Sequence, residues 1–170
     1  LGDKGVREYV QAAEQVIAQH PNTRFMLIGP HGASNRTAIT EHEVHQWQQA
    51  GVIDYLGEQP DVRLFIQQAH MLVLPSYREG MPRTVLEAAA MGRPAIVSDV
   101  PGCRHAVEAG VTGWLCQVKS ADSLANAMLS CLNQPHSDLQ AAGKAARLRI
   151  EREFDEQIVI NAALDCLLPD

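Results

Sequence analysis

An α/β fold on a parallel sheet is what the 170-residue sequence predicts, from three features. Short apolar runs alternate with segments of helical periodicity along the chain. The runs are apolar at successive positions, as strands buried on both faces must be. They also lie too far apart for hairpins, at separations that a crossover helix fills. With right-handed connections this makes a doubly wound, Rossmann-like sheet with helices on both faces. The length suits a single domain, 1–170, with a real core.

Each element has a local reason. Val6, Tyr9, Val10, Ala13, Val16 and Ile17 share a helical face within residues 5–19, and Pro21 ends that helix. Arg24–Ile28 is an apolar run stopped by Gly29-Pro30, which reads as a buried strand. Residues 30–39 read as a polar loop. Thr40-Glu41-His42-Glu43 forms a capping box for a helix running to Gly51. Val52–Leu56 is the next strand, ended by Gly57, and Pro60–Ala69 the next helix. Strands follow at Met71–Leu74, Ala95–Ser98 and Gly113–Gln117, with helices at about 83–91, 103–109 and 120–133. From Ser137 to Leu168 the pattern is helical, with a break at Phe154-Asp155, where Asp155 suits a cap. The chain opens on a loop, Leu1-Gly2-Asp3-Lys4-Gly5. A doubly wound half normally feeds such a loop from a strand, so a first strand ahead of Leu1 is expected, and the chain reads as a fragment.

The composition narrows the function. Net charge is −6, which argues against a nucleic-acid partner. No apolar run approaches the roughly 20 residues of a membrane span. Cys103, Cys116, Cys131 and Cys166 form no C-x-x-C pair, so reduced thiols and a cytoplasmic location are expected.

The chemistry concentrates in residues 75–94, PSYREGMPRTVLEAAAMGRP. In a parallel α/β sheet, ligands bind beyond the carboxyl ends of the strands, and residues 76–82 follow Met71–Leu74. Gly80 lets backbone approach a ligand, and Pro82 suits the first turn of the helix. The N–H groups around Gly80–Val85 then form an anion site, to which the Thr84 hydroxyl adds a donor. Arg83, Thr84 and Glu87 fall on one stripe of an otherwise apolar helix. That stripe is either solvated surface or a ligand face. Two carboxylates, Glu79 and Glu87, would repel a phosphate, but they bind sugar hydroxyls well. A nucleotide-sugar, a diphosphate between two sugars, matches that arrangement.

The run EGMPRTVLEAAAMGRPAIVSDVPGCRHAVEAGVTGWL, Glu79 to Leu115, resembles the donor-binding signature of the retaining GT-B glycosyltransferases of group 1 (family 4). The E-x7-E pair, the E-G-x-P turn, the Gly92-x-Pro94 step and the G-x-T-G-W-L run match in order and spacing, and the likeness covers nearly the whole chain. The resemblance implies the C-terminal half of a GT-B fold. It places Glu79 on hydroxyls of the transferred sugar and Glu87 on the donor ribose. Gly80, Met81, Thr84 and Val85 line the sugar and diphosphate, Lys4 faces the diphosphate, and the loop near Gly57–Val62 borders the base. It implies a UDP-sugar donor, no metal or cofactor, and a glycan or lipid-linked acceptor in cell-surface glycan synthesis. The acceptor site would lie on an N-terminal domain absent from this chain, with peripheral membrane association of the whole protein. This chain alone would therefore bind donor without transferring sugar. There are departures: the arginine that usually precedes the lysine would fall before Leu1, and His105 stands where relatives often carry Glu.

Other residues carry less. Glu41-His42-Glu43-Val44-His45 has its histidines three apart, which is not the H-E-x-x-H spacing of a zinc site. Arg78, Arg83 and Arg104 read either as phosphate contacts or as ordinary surface. Trp47 and Trp114 read as packing residues. Two alternatives remain beside the transferase: a GT-B sugar-nucleotide epimerase, which needs further acid/base groups, and a non-enzymatic nucleotide-binding module. A receiver-type module needs an acidic cluster, whereas Asp99 stands alone.

Overall fold

The computed structural model describes residues 2–30 and 37–167. After a short 3-10 turn at Gly2–Lys4 come α1 (Val6–Gln19), β1 (Met26–Leu27), α2 (Glu41–Gln49), β2 (Asp54–Tyr55) and α3 (Arg63–Gln68). They are followed by β3 (Leu72–Leu74), α4 (Arg83–Ala90), β4 (Ala95–Ser98), α5 (Pro101–Ala106) and β5 (Gly113–Cys116). The chain then finishes on α6 (Ala121–Leu132), α7 (His136–Glu153) and α8 (Glu156–Leu167). All strand pairs are parallel, in the orders β1-β2 and β3-β4-β5.

The doubly wound arrangement shows in β4. Ile96 packs into one core with Val10, Val16 and Leu124, which are carried by α1 and α6. Its neighbours Ala95 and Val97 enter a second core with Val85 and Cys103, from α4 and α5. β3 divides the same way, with Val73 and the preceding Met71 on the first side and Leu72 and Leu74 on the second. Alternate side chains of a strand point to opposite faces, so both faces of the sheet are covered. Ile96, at 0% exposure, contributes about 1.5–3 kcal/mol by leaving water. Trp47 and Trp114 pack against the first core, as packing residues should.

The capping box at Thr40 forms as the sequence predicts. Glu43 N–H donates to the Thr40 hydroxyl at 3.2 Å, and the Thr40 N–H donates to Glu43 Oε2 at 2.9 Å. Asp155 accepts from Gln157 N–H at 2.8 Å and opens α8. Four elements differ in extent. β1 and β2 are two residues each, where five were expected, and α3 begins at Arg63, three residues late. α5 begins at Pro101 and ends at Ala106, because proline fits a first helical turn and Val107 is already extended. Most of the expected 30–39 loop and the end of the final helix at Leu168 lie outside the described residues.

The strands form two sheets, so β1 and β3 each keep an unpaired edge among the described residues. The Gly2–Gly5 loop spans the chain segments leaving both. Gly2 N–H donates to Thr37 O after β1, and Tyr77 N–H donates to Asp3 O after β3. The expected strand ahead of Leu1 lies outside the described residues.

Candidate functional site

Lys4 is placed by backbone geometry. Gly5 has φ 69°, and a Cβ there would sit 2.1 Å from the Pro75 carbonyl oxygen. Glycine is therefore needed both for the left-handed turn and for the close approach. The approach holds the loop against the segment leaving β3, where Tyr77 N–H bonds Asp3 O at 2.9 Å. Lys4 Nζ then lies 2.7 Å from Glu79 Oε1. The Glu79 side chain is 11% exposed and that of Lys4 is 48% exposed. The lysine thus presents a charge at the surface while its partner is largely enclosed.

Glu79 is held from beneath by α5. A Cβ on Gly102 would come within 2.0 Å of Gly80 O and 2.3 Å of Glu79 O, so the start of α5 rests on the turn itself. Cys103 follows, fully buried, and its thiol is pushed up to about 11 by burial and then by the nearby Glu79 carboxylate.

The turn delivers the chain to α4. Its first internal bonds run from Val85 and Leu86 N–H to Pro82 O, which leaves the Arg83 and Thr84 N–H groups ahead of the helical ladder. Gly80, Met81, Arg83 and Thr84 are exposed, so the amino end of α4 is open to solvent. Exposure recurs at Glu87 and Ala90, whereas Val85, Ala88 and Ala89 are buried. The predicted stripe is real. Glu87 has no side-chain hydrogen bond among the described residues and is free to meet a ligand. Val85 is 1% exposed and packs in the core, so only its backbone can face the site. Gly29 and Gly57, which end β1 and β2, meet through a 2.9 Å bond from Gly29 N–H to Gly57 O.

Of the flanking arginines, Arg104 is engaged with Asp99 and Arg78 lies 4.0 Å from Asp3 Oδ2. Arg83 makes no ion pair among the described residues. His105 is exposed, and its carbonyl accepts from Arg149. In the 41–45 segment Glu43 is taken by Arg7, while His42 and His45 are exposed. No group of three potential metal ligands occurs among the described residues.

A network missed in the sequence lies beside this site. The Tyr77 hydroxyl donates to Glu8 Oε1 at 2.6 Å, and Lys119 Nζ sits 4.8 Å from the centre of the Tyr77 ring. Burial, followed by Glu8, pushes the tyrosine up to about 12. Lys119 has φ 58°, a left-handed conformation that lysine adopts at a cost. Three segments contribute to the network, and nothing local in any of them signals it. The Gly102 contact had a faint signal, a Pro-Gly pair that also reads as an ordinary turn.

Comparison with known proteins follows the same lines. Residues 1–149 match the family of glycosyl transferases group 1. The chain is 31% identical over 159 residues to a Campylobacter jejuni N,N'-diacetylbacillosaminyl-diphospho-undecaprenol alpha-1,3-N-acetylgalactosaminyltransferase, covering 94% of this chain and 40% of that protein. It is 30% identical over 166 residues to a Mycobacterium tuberculosis glycogen synthase, covering 98% of this chain and 40% of that one. Among solved structures, Anabaena HepE in complex with UDP superposes with a TM-score of 0.84 at 19% identity, over 98% of this chain and 46% of that one. At that identity the likeness speaks for the fold. The chain spans about two fifths of the length of the curated relatives it matches.

Proposed function

The chain belongs to the group 1 glycosyl transferases, and from that premise we propose that it is the donor-binding half of an enzyme moving a sugar from a nucleotide-sugar to a lipid-linked or polysaccharide acceptor. The observation that carries this reading is the open amino end of α4, with the Lys4–Glu79 pair at its mouth and an unpartnered Glu87 one turn into the helix. In the proposed complex the diphosphate lies at the Arg83 and Thr84 N–H groups. Glu87 takes the ribose hydroxyls and Glu79 those of the transferred sugar, with Gly80, Met81 and Thr84 between them. The loop at Gly57–Val62 borders the base.

The chemistry follows from charge. Departure of a nucleoside diphosphate builds negative charge on its leaving oxygens, and preorganised donors stabilise that charge without reorganising. Lys4 and the helix N–H groups supply such donors. In the free protein Lys4 is held by Glu79 at 2.7 Å. The incoming diphosphate would draw the ammonium away and free Glu79 to accept sugar hydroxyls, so the pair exchanges partners when donor binds.

The finer assignment is a UDP-sugar donor, transfer with retention, no metal, and a role in cell-surface glycan assembly at the cytoplasmic face of a membrane. The Campylobacter relative's undecaprenol-diphosphate acceptor and the UDP in HepE support it. A glycogen-synthase-like use of a soluble glucan acceptor is the second reading, favoured by the mycobacterial relative. In the whole protein, a further domain is proposed to supply the acceptor site, and a strand leading into Gly2 to fill the sheet between β1 and β3.

Calorimetry with UDP-, GDP- and ADP-sugars tests the assignment. Glu87→Ala should weaken the preferred donor by about 1–3 kcal/mol, the usual cost of losing charged hydrogen bonds, without affecting folding. Unchanged affinity would remove Glu87 from the site. Loss of affinity for the sugar-nucleotide but not for the free nucleotide would move it from ribose to sugar.

A further inference from the structure

A second basic site lies at the other end of the domain. Donor chemistry gathers at the carboxyl ends of the strands, whereas His70 precedes β3 and Gly92-Arg93-Pro94 precede β4, at the amino ends. Against these segments lies α7, brought close because Gly143 has no side chain. A Cβ there would stand 2.0 Å from Gly92 O. The contact leaves an open cavity of ≈ 270 Å³ between α7 and the two segments.

Its walls carry unusual charge for an acidic chain. Arg93, Lys144 and Arg147 line it together with His70 and His136, and no carboxylate is among the lining residues. The two imidazoles meet edge to face, 5.7 Å between centroids. Part of this charge has structural work. Arg93 Nη2 donates to Gln67 O at 2.6 Å, near the end of α3, and Arg147 Nη1 donates to Ala90 O at 2.7 Å, at the end of α4. Arg147 Nε also pairs with Glu151 at 2.8 Å. What remains is unaccounted for. Arg93 Nε is buried without a hydrogen-bond partner, and Lys144 makes no ion pair among the described residues. Arg147 has Glu151 as its counter-charge, whereas Arg93 and Lys144 have none among the described residues, and an anion between them would supply it.

We propose that this cavity binds a phosphoryl group, through Lys144, Arg93 and Arg147 with the two histidines at its rim. The volume admits a phosphate or pyrophosphate together with a small organic portion. A forked guanidinium matches phosphoryl oxygens, and an ammonium adds a point charge. The site is separate from the proposed donor site. Its ligand is either a soluble phosphorylated molecule or the headgroup of an anionic phospholipid, which share this chemistry.

Amide-resolved NMR on the protein, titrated with inorganic phosphate and then pyrophosphate, tests the site. Saturable shifts are expected at Arg93 and from His136 to Lys144, as a set distinct from any at Met81–Val85. Lys144→Glu should weaken that set at least tenfold and leave the Met81–Val85 set unchanged. Lys144 is exposed, so this variant should fold. Co-sedimentation with phosphatidylglycerol vesicles is the second arm, and vesicle binding lost in Lys144→Glu without a response to the free anions identifies a headgroup. Shifts confined to Met81–Val85 with no vesicle binding, or a Lys144→Glu protein that binds like the wild type in both arms, would overturn the proposal.

Discussion

Gly102→Ala should damage both the fold and the proposed donor site, and the structure gives the scale. The added Cβ would lie 2.0 Å from Gly80 O and 2.3 Å from Glu79 O. Ordinary contact begins near 3.5 Å, so backbone must move by more than about 1 Å. Neither opposing atom can swing aside, because both are carbonyl oxygens of one tight turn. Overpacking of this kind costs roughly 1–3 kcal/mol, and with two backbone clashes the upper end applies. For a chain of this size that lowers Tm by about 6–12 °C. The displaced residue is Glu79, so affinity for the nucleotide-sugar should fall by about tenfold or more, as losing one charged hydrogen bond does. Gly80→Ala is the control. Nothing lies within 4 Å of its added Cβ and its φ is not positive, so Tm should hold while donor affinity falls. Thermal unfolding followed by circular dichroism, and calorimetry with the preferred donor, give the two readings. A Gly102→Ala protein that melts within 1 °C of wild type and binds donor normally would refute the claim that α5 positions the turn.

Other perturbations separate further links. Lys4→Met should weaken the intact nucleotide-sugar and the free nucleoside diphosphate alike but leave binding of the bare nucleoside unchanged, as calorimetry would show. The Arg7 guanidinium, which holds Glu43 bidentately, and then the Thr40 cap depress the Glu43 carboxyl to about 2. That stability is present above the ordinary carboxylate range and is lost as pH falls toward about 2. Because the pair is partly exposed, Arg7→Gln should remove only about 1 kcal/mol of it in urea titrations at pH 7, and less at pH 3, where part of it is already gone. Burial pushes Cys103 up to about 11 and Cys131 up to about 12, so neither should react with a thiol reagent near neutral pH until the protein unfolds. Lys119→Val should cost about 1–2 kcal/mol by chemical denaturation, since a branched side chain is strained at φ 58° and the contact over Tyr77 is lost.

How far the sequence reached can be read from particular residues. Thr40 and Glu43 announce their helix because a capping box is local, and both of its bonds form. The polar stripe of Arg83, Thr84 and Glu87 was legible because helical periodicity alone sets which residues share a face. β4 could be read as buried on both faces, and Ile96 and Val97 do feed opposite cores. The short extents of β1 and β2 were hidden, since an apolar run shows where a strand can form and not how far its partner pairs with it. The sequence by itself therefore determined the order of elements, their facing, and the open amino end of α4, all of which follow from spacing within a few residues. Only the tertiary structure decided that Lys4 meets Glu79 across 75 positions, that Gly102 props the turn, and that Lys119, Tyr77 and Glu8 converge. The reason is physical: contacts between distant segments depend on backbone approach, and a glycine's missing side chain shows its purpose only once the atom it avoids is in place.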